Sequence, residues 1–162
     1  MTGPALDAVL LRVGKLNYSW TNTESLLIHM IAGLAGVSKD VAVVIFLTLN
    51  TTRARVDLVI RLAKMPGRDA GLRERVLECT TALLRESALR NRYNHCIYSF
   101  DPEGQQIQTI MMRIQDRKHD IKMGKMQLVD GDEMDQIDQS IARLDALNRQ
   151  IWGMVVEYGF PV

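Results

Sequence analysis

The C-terminal segment contains one continuous stripe of apolar side chains. Seven large apolar residues recur there at intervals of three or four: Met134, Ile137, Ile141, Leu144, Leu147, Ile151 and Met154. An α-helix has 3.6 residues per turn, so this spacing places all seven on one face. A helix with such a face has to bury it against other elements, which predicts a packed helical protein. Asp130 or Asp132 is expected to cap this helix.

Apolar residues at helical spacing also run through the first half of the chain. The first pattern covers Ala5–Lys15, and a second, covering Leu26–Leu34, ends at Gly36. Thr21 or Thr23 is expected to cap the second pattern, unless both patterns belong to one long helix. A further helix from Leu72 to Leu84 is expected to continue towards Asp101.

The segment VAVVIFLTL, residues 41–49, is apolar on every side. Its β-branched residues are also typical of a strand, but Ser38 is a good N-cap and favours a helix. The helix is expected to continue beyond a break near Asn50 and to end at Pro66-Gly67. A helix that is apolar all round predicts deep burial, either in a bundle or at an interface.

The pattern changes between Gln106 and Val129, where apolar and polar residues alternate. The apolar positions are Ile110, Met112, Ile114, Ile121, Met123, Met126 and Leu128. This period predicts a two-stranded hairpin near 106–129, turning at DRKHD and bulged at Gly124. The predicted fold is therefore mainly α: an up-and-down helical bundle of four to five helices with a small β-hairpin before the C-terminal helix, forming one domain over residues 1–162. An isolated hairpin is marginal, so it is expected to pack on the helices or on another chain.

The composition favours a cytoplasmic protein. The two cysteines, Cys79 and Cys96, form no disulfide framework, which indicates free thiols in a reducing compartment. The N-terminus lacks the pattern of a signal peptide. The most apolar region, Leu26–Leu49, is interrupted by glycines and charges, so no membrane contact is expected. The three histidines have no ligand spacing, and neither a metal nor a cofactor is expected.

The net charge of +1 hides an asymmetry. Residues 53–75 contain seven basic and three acidic residues, whereas residues 130–162 contain seven acidic residues and two arginines. The first segment is suited to attract a polyanion, and Arg53 and Arg55 are candidates for RNA binding. The simpler interpretation is that both segments are solvated helix faces.

The best candidate for a site is LRNRYNHCIYSFD, residues 89–101. Two arginines, two asparagines, a tyrosine and a histidine occupy the six positions 90–95. Histidine exchanges protons near neutral pH, and arginine grips a phosphate with two donors. Adjacent residues on a helix point about 100° apart, which argues against a dyad of His95 with a Cys96 thiolate. The simpler alternative is a polar helix end with its arginines paired to Glu78 or Glu86.

On a straight helix, Arg90 and His95 point about 140° apart. The two side chains converge if the helix ends or bends here, or if two copies of it meet across a symmetry axis. The sequence leaves these alternatives open. Arg92 lies closer to His95, at about 60°, and is a further candidate for RNA binding.

Arg90-Asn91-x-x-x-His95 resembles the R-x4-6-H signature of the HEPN superfamily, in which a polar residue, often Asn, follows the arginine. HEPN domains are all-helical and commonly dimeric, and many are metal-independent RNA endonucleases, including toxins paired with antitoxins. The resemblance covers roughly Leu6 to Asp101. It also includes a preceding helix that carries Glu24.

The resemblance implies a homodimeric endoribonuclease with RNA and an antitoxin-like protein as partners. His95 would act as general base or acid for attack of the 2′-hydroxyl on phosphate, Arg90 would stabilise the transition state, and Asn91 would orient His95 or the phosphate. Two features depart from the family. Toxin members often have a tyrosine where this chain has Ile97, and the hairpin is not part of the minimal fold. The alternative function is a non-catalytic helical homodimer that binds a protein or nucleic acid.

Overall fold

A computed structural model describes residues 4–162 of the chain. This part is mainly helical, with a small antiparallel sheet before the C-terminal helix. The helices are α1 (Leu6–Glu24), α2 (Leu27–Ala35), α3 (Lys39–Thr48), α4 (Thr52–Ala63), α5 (Ala70–Asn94) and α6 (Gly131–Glu157). The strands are β1 (Cys96–Phe100), β2 (Ile107–Met111), β3 (Gln115–Asp116), β4 (Ile121–Lys122) and β5 (Met126–Val129).

The helix boundaries follow the capping residues of the sequence. The Ser38 hydroxyl accepts a hydrogen bond from Val41 N, and the Asp130 carboxylate accepts one from Glu133 N, as predicted for the starts of α3 and α6. Gly36 ends α2 in the left-handed region, at φ 67°, as its position predicts. The cap predicted at Thr21 or Thr23 is wrong, because α1 continues through both threonines to Glu24.

The described chain has five strands where the sequence predicted two, arranged as a three-stranded sheet and a separate pair. β2 pairs with β5, and β3 pairs with β4 across DRKHD, which confirms antiparallel strands within residues 106–129. The order in the larger sheet is β1-β2-β5, so the region is more than an isolated two-stranded hairpin. β1 was missed because CIYSF directly follows a helix and does not alternate polar with apolar residues.

The chain divides into two compact units, whose boundaries fall within α1, α5 and α6. The sheet unit comprises the described residues up to Tyr18 together with Ser87–Ile141. Its apolar core joins α1, the sheet and the start of α6, through Val9, Ile107, Val129 and Met134. Leu6, Val13 and Tyr98 pack against this core from partly buried positions. The sheet unit therefore contains both the motif of residues 90–95 and the strands that follow it.

The helical unit comprises Ser19–Glu86 and Ala142–Val162, and in it α2 packs against α3 and α4. Within VAVVIFLTL, Ala42 and Phe46 are buried, but Val44 and Leu47 are each 65% exposed. Deep burial of this segment inside the chain is thus wrong, because only one side of α3 meets other helices. Burial at an interface stays a prediction.

None of the helices in residues 4–162 combines the length and the apolar content that crossing a membrane requires.

Gly124 is held against backbone, which gives a test of the strand arrangement. A methyl group added at Gly124 would overlap the backbone carbonyl group of Met111, so the backbone would have to shift to accommodate it. We expect Gly124→Ala to lower the free energy of unfolding by about 1–3 kcal/mol. Gly14 in α1 has open space around it, so Gly14→Ala should raise the free energy by about 0.5–1 kcal/mol. Urea unfolding of both variants measures the difference, and equal stability would contradict the packing of Gly124 on Met111.

Candidate functional site

The helix that carries the candidate motif ends inside it. α5 runs to Asn94, and His95 occupies the turn before β1. His95 N donates to Asn91 O at 3.1 Å and to Arg92 O at 3.4 Å, so the last turn tightens before the chain becomes extended. Arg90 and Asn91 are therefore helical, whereas His95 is the first residue outside the helix.

The Arg90 guanidinium lies among asparagine side chains. Its Nη1 donates to Asn91 Oδ1 at 3.1 Å. With the Asn94 amide turned to suit its neighbours, Asn94 Oδ1 accepts from Arg90 Nε at 2.9 Å and from Nη2 at 3.2 Å. The Asn94 nitrogen then faces Asn17 Oδ1 of α1 at 2.9 Å. A guanidinium is always charged at neutral pH, and these amides hold that charge in a defined position.

The His95 imidazole is exposed and makes no hydrogen bond or ion pair within residues 4–162. Its backbone is fixed, since His95 O accepts a hydrogen bond from Met112 N at 3.0 Å. The structure thus brings Arg90 and Asn91 into contact and leaves the His95 side chain unattached to either. A helix end was one of the predicted ways for Arg90 and His95 to converge, and within one chain it produces no bond between them.

Arg92 belongs to a polar network inside the sheet unit. Its guanidinium forms an ion pair with Glu133 of α6, and Nη1 donates to Gln127 Oε1 of β5 at 3.1 Å. The Tyr93 hydroxyl donates to Glu133 Oε2 at 2.8 Å, and Gln127 Nε2 donates to Glu133 Oε1 at 2.8 Å. The side chains of Arg92 and Glu133 are 18% and 7% exposed. This network occupies the Arg92 head group, which was a sequence candidate for RNA binding.

Burial and hydrogen bonding change the pKa values of Arg92 and Tyr93 in this network. Burial is the largest single influence on the pKa of Arg92 and lowers it, but the hydrogen bonds and charges of Glu133 and Tyr93 together outweigh burial, and the pKa is raised. Burial and the bond to Glu133 also raise the pKa of Tyr93, so its hydroxyl remains a donor. The sequence predicted Asp130 or Asp132 as the cap of α6, but it did not identify Glu133 or the pairing of Glu133 with Arg92.

The residues that follow His95 are not reactive nucleophiles. Burial raises the pKa of the Cys96 thiol, and Cys96 Sγ lies 3.5 Å from Tyr93 O, which accepts its hydrogen bond. A protonated thiol does not act as a nucleophile, in agreement with the argument against a dyad with His95. Burial raises the pKa of Tyr98 to about 12, and Tyr98 packs against the core of the sheet unit.

The two other arginine candidates lie in the helical unit. Arg53 is 72% exposed at its side chain and pairs with Asp57 one turn later, at 3.1 Å. Arg55 is 18% exposed and donates to Glu24 Oε1 at 3.1 Å and to Leu49 O at 2.9 Å. Its guanidinium also lies 4.0 Å from the centre of the Phe46 ring. Arg55 thus fastens the end of α3 to α1, while Arg53 faces solvent.

Within residues 4–162, no group of three or more His, Cys, Asp and Glu side chains is placed to hold a metal ion. No protein-family model, curated protein or solved structure matches this chain. The resemblance to HEPN domains therefore depends on the residues of the motif and on their placement.

The Arg92–Glu133 pair predicts a large loss of stability when one charge is removed. Glu133→Gln leaves a buried guanidinium without its counter-charge, so we expect the free energy of unfolding to fall by about 3 kcal/mol. The matched control is Asp138→Asn, which breaks an exposed pair with Arg12 in the same unit and should cost about 0–1 kcal/mol. Chemical denaturation of both variants measures the contrast. Similar small losses would show that the Arg92 network is not buried in solution.

Proposed function

We propose that this protein is a HEPN-like, metal-independent RNA endonuclease that works as a homodimer, with Arg90, Asn91 and His95 at its centre. The observation that carries the proposal is the arrangement of Arg90 and His95. Arg90 is held by amide side chains, and the His95 imidazole is exposed beyond the helix end with no bond to the described chain. The imidazole is therefore available to contact a bound phosphodiester close to the Arg90 guanidinium of the motif.

The reaction follows from the chemistry of these side chains. His95 removes the proton of an RNA 2′-hydroxyl, and that oxygen attacks the adjacent phosphorus. The new O2′–P bond forms as the P–O5′ bond breaks, which leaves a 2′,3′-cyclic phosphate and a 5′-hydroxyl. The O5′ leaving group takes a proton from a protonated imidazole or from water. Arg90 stabilises the negative charge of the phosphorane-like transition state, and Asn91 positions Arg90 through their 3.1 Å hydrogen bond.

A second copy of the chain completes the site in this proposal. Within one chain, Arg90 and His95 share no hydrogen bond, and the resemblance to HEPN domains implies a site where two motif helices meet across a dimer. An exposed apolar face of the sheet, on the side away from the core, supports the proposed dimer. There, Ile97 pairs with Ile110, which pairs with Met126, and Ile97 and Met126 are 52% and 57% exposed. Burial of such an apolar face supports association of two copies.

The exposed apolar face also favours the alternative function. A non-catalytic helical homodimer that binds a protein or a nucleic acid would also associate through this face. Its Arg90–Asn94–Asn17 contacts would then serve only to join α5 to α1 within the sheet unit. The two functions differ in what the loss of the His95 side chain does, because an exposed imidazole contributes little to folding.

RNA cleavage in EDTA tests the proposal. We expect the wild type to cleave single-stranded RNA and to leave cyclic phosphate ends. His95→Ala and Arg90→Ala should each reduce the rate by about 10²-fold or more, since both act in the transition state. Arg61→Ala is the control, because Arg61 is an exposed cation of the helical unit, outside the motif, and this variant should cleave at the wild-type rate.

Circular dichroism and analytical ultracentrifugation must accompany the cleavage assay. Folded, dimeric variants that lose cleavage support the endonuclease. A wild type that is dimeric but does not cleave, or a His95→Ala variant that cleaves normally, would refute it and leave the binding module as the better explanation.

A further inference from the structure

A basic ribbon follows the motif in the sheet unit. We use this name for residues 111–126, which contain β3, β4 and the segments that connect them to β2 and β5. The ribbon contains five cationic residues and two acidic ones: Arg113, Arg117, Lys118, Lys122 and Lys125 against Asp116 and Asp120. Its excess of positive charge is local, because the whole chain has a net charge of +1.

The charges of the ribbon are largely unneutralised. Arg117 lies 3.9 Å from Asp120, and within residues 4–162 the other four cations of the ribbon form no ion pair. Elsewhere in the sheet unit, Arg12 and Arg92 each pair with a carboxylate. Unpaired cations on one small element create a positive potential that attracts a polyanion.

Three of the cations line a cleft of about 220 Å³. They are Arg113, Lys122 and Lys125, and Gln115 adds an amide donor. No acidic residue lines the cleft, and Met111 and Met123 supply its apolar surface. Gln115 and Lys122 are directly opposite in the β3–β4 pair, so their side chains leave the ribbon on the same side. Gly124 lets the returning strand approach Met111 closely, which narrows the cleft.

The cleft begins beside the candidate catalytic histidine. Met111 of the cleft is paired with Cys96, the residue after His95. Met112 N donates to His95 O at 3.0 Å, so the root of the ribbon and the end of α5 are fixed to each other. The backbone that borders the cleft is therefore next to the backbone of His95.

We propose that this cleft binds the phosphodiester backbone of single-stranded RNA and guides it to His95. The inference rests on the proposed function, because it supplies the substrate-holding surface of the same site. Arg113, Lys122 and Lys125 contact phosphates, Gln115 donates to a phosphate or ribose oxygen, and the methionines pack against the sugar. Contacts of this kind read the charge of the backbone and not its sequence.

The shape of the cleft and the composition around it favour RNA over a lipid surface. A concave cleft lined by donors fits a discrete phosphodiester, whereas a bilayer presents a broad, flat surface. Residues 101–129 contain no Phe, Tyr or Trp, and interfacial segments depend on such aromatic anchors. Because residues 101–129 contain no aromatic side chain on which an RNA base could stack, charge should dominate RNA binding. We therefore expect the affinity for RNA to depend strongly on salt concentration.

Binding is measured separately from cleavage. The protein used is the His95→Ala variant, which keeps the RNA intact. The probe is a fluorescein-labelled RNA of about 20 nucleotides without secondary structure, which is long enough to cover one single-strand binding site. Binding is followed by fluorescence anisotropy in EDTA. The test variant adds Arg113→Gln, Lys122→Gln and Lys125→Gln. Loss of three phosphate contacts should weaken binding about tenfold or more and reduce the slope of log K against log salt by about two.

The matched control removes three exposed cations of the helical unit, through Arg61→Gln, Lys64→Gln and Arg149→Gln. It should bind RNA within about twofold of the parent, because the same net charge is lost away from the cleft. Single variants Lys122→Gln and Lys125→Gln guard against misfolding of the triple variant, and each should reduce the salt slope by about 0.7.

Several results would overturn the inference: no RNA binding by the parent, equal weakening by test and control variants, or binding to anionic phosphatidylglycerol vesicles in place of RNA. Selective loss of RNA binding in the cleft variants supports it, whether or not the wild type cleaves. Selective loss without any cleavage would refute the endonuclease and keep the RNA-binding cleft. The same three cleft substitutions are also made with His95 retained, and cleavage that survives in that variant at the wild-type KM would keep the endonuclease and refute the cleft.

Discussion

The ion pair between Arg92 and Glu133 holds the sheet unit in its arrangement. It joins the last turn of α5 to the first turn of α6, and Gln127 attaches β5 to both. Burying two charges costs free energy that is recovered only while they remain paired and hydrogen-bonded. The end of α5 therefore cannot shift along α6 without leaving a charge unpaired, and the position of His95 is fixed as a consequence.

Because of this ion pair, neighbouring residues of the motif have different roles. Arg92 and Tyr93 point into the network with Glu133 and serve the fold. Arg90 and Asn91 bond to each other outside this network and keep a charge and an amide near the surface. His95 follows the helix end with its imidazole exposed. The division explains how one short polar stretch can both stabilise a helix end and present groups suited to phosphate chemistry.

The helical unit also contains a buried carboxylate that pairs with an arginine. Glu24 accepts hydrogen bonds from Thr52 at 2.6 Å and from Arg55 at 3.1 Å, and Trp20 Nε1 donates to it at 3.2 Å. A buried carboxylate again fixes an arginine, here between α1, α3 and α4. Arg55 is thereby committed to the fold, whereas the basic ribbon keeps cations available for a polyanion. A charge count of residues 53–75 does not show this difference, because counting cannot separate a paired cation from an unpaired one.

Some elements follow from the sequence alone because their signals are local. Apolar spacing specified α6, the caps Ser38 and Asp130 specified helix starts, and alternation specified strands within residues 106–129, since period and capping depend on residues a few positions apart. Only the folded chain shows that CIYSF forms β1, because a strand with no alternation is stabilised by the partner it meets. The tertiary structure also determines which arginines form ion pairs with carboxylates. Glu133 is 41 residues from Arg92 in the sequence, and Glu24 is 31 residues from Arg55. Ion pairing over such separations depends on where the folded chain places the two charges. A pattern of neighbouring residues therefore cannot predict the ion pair.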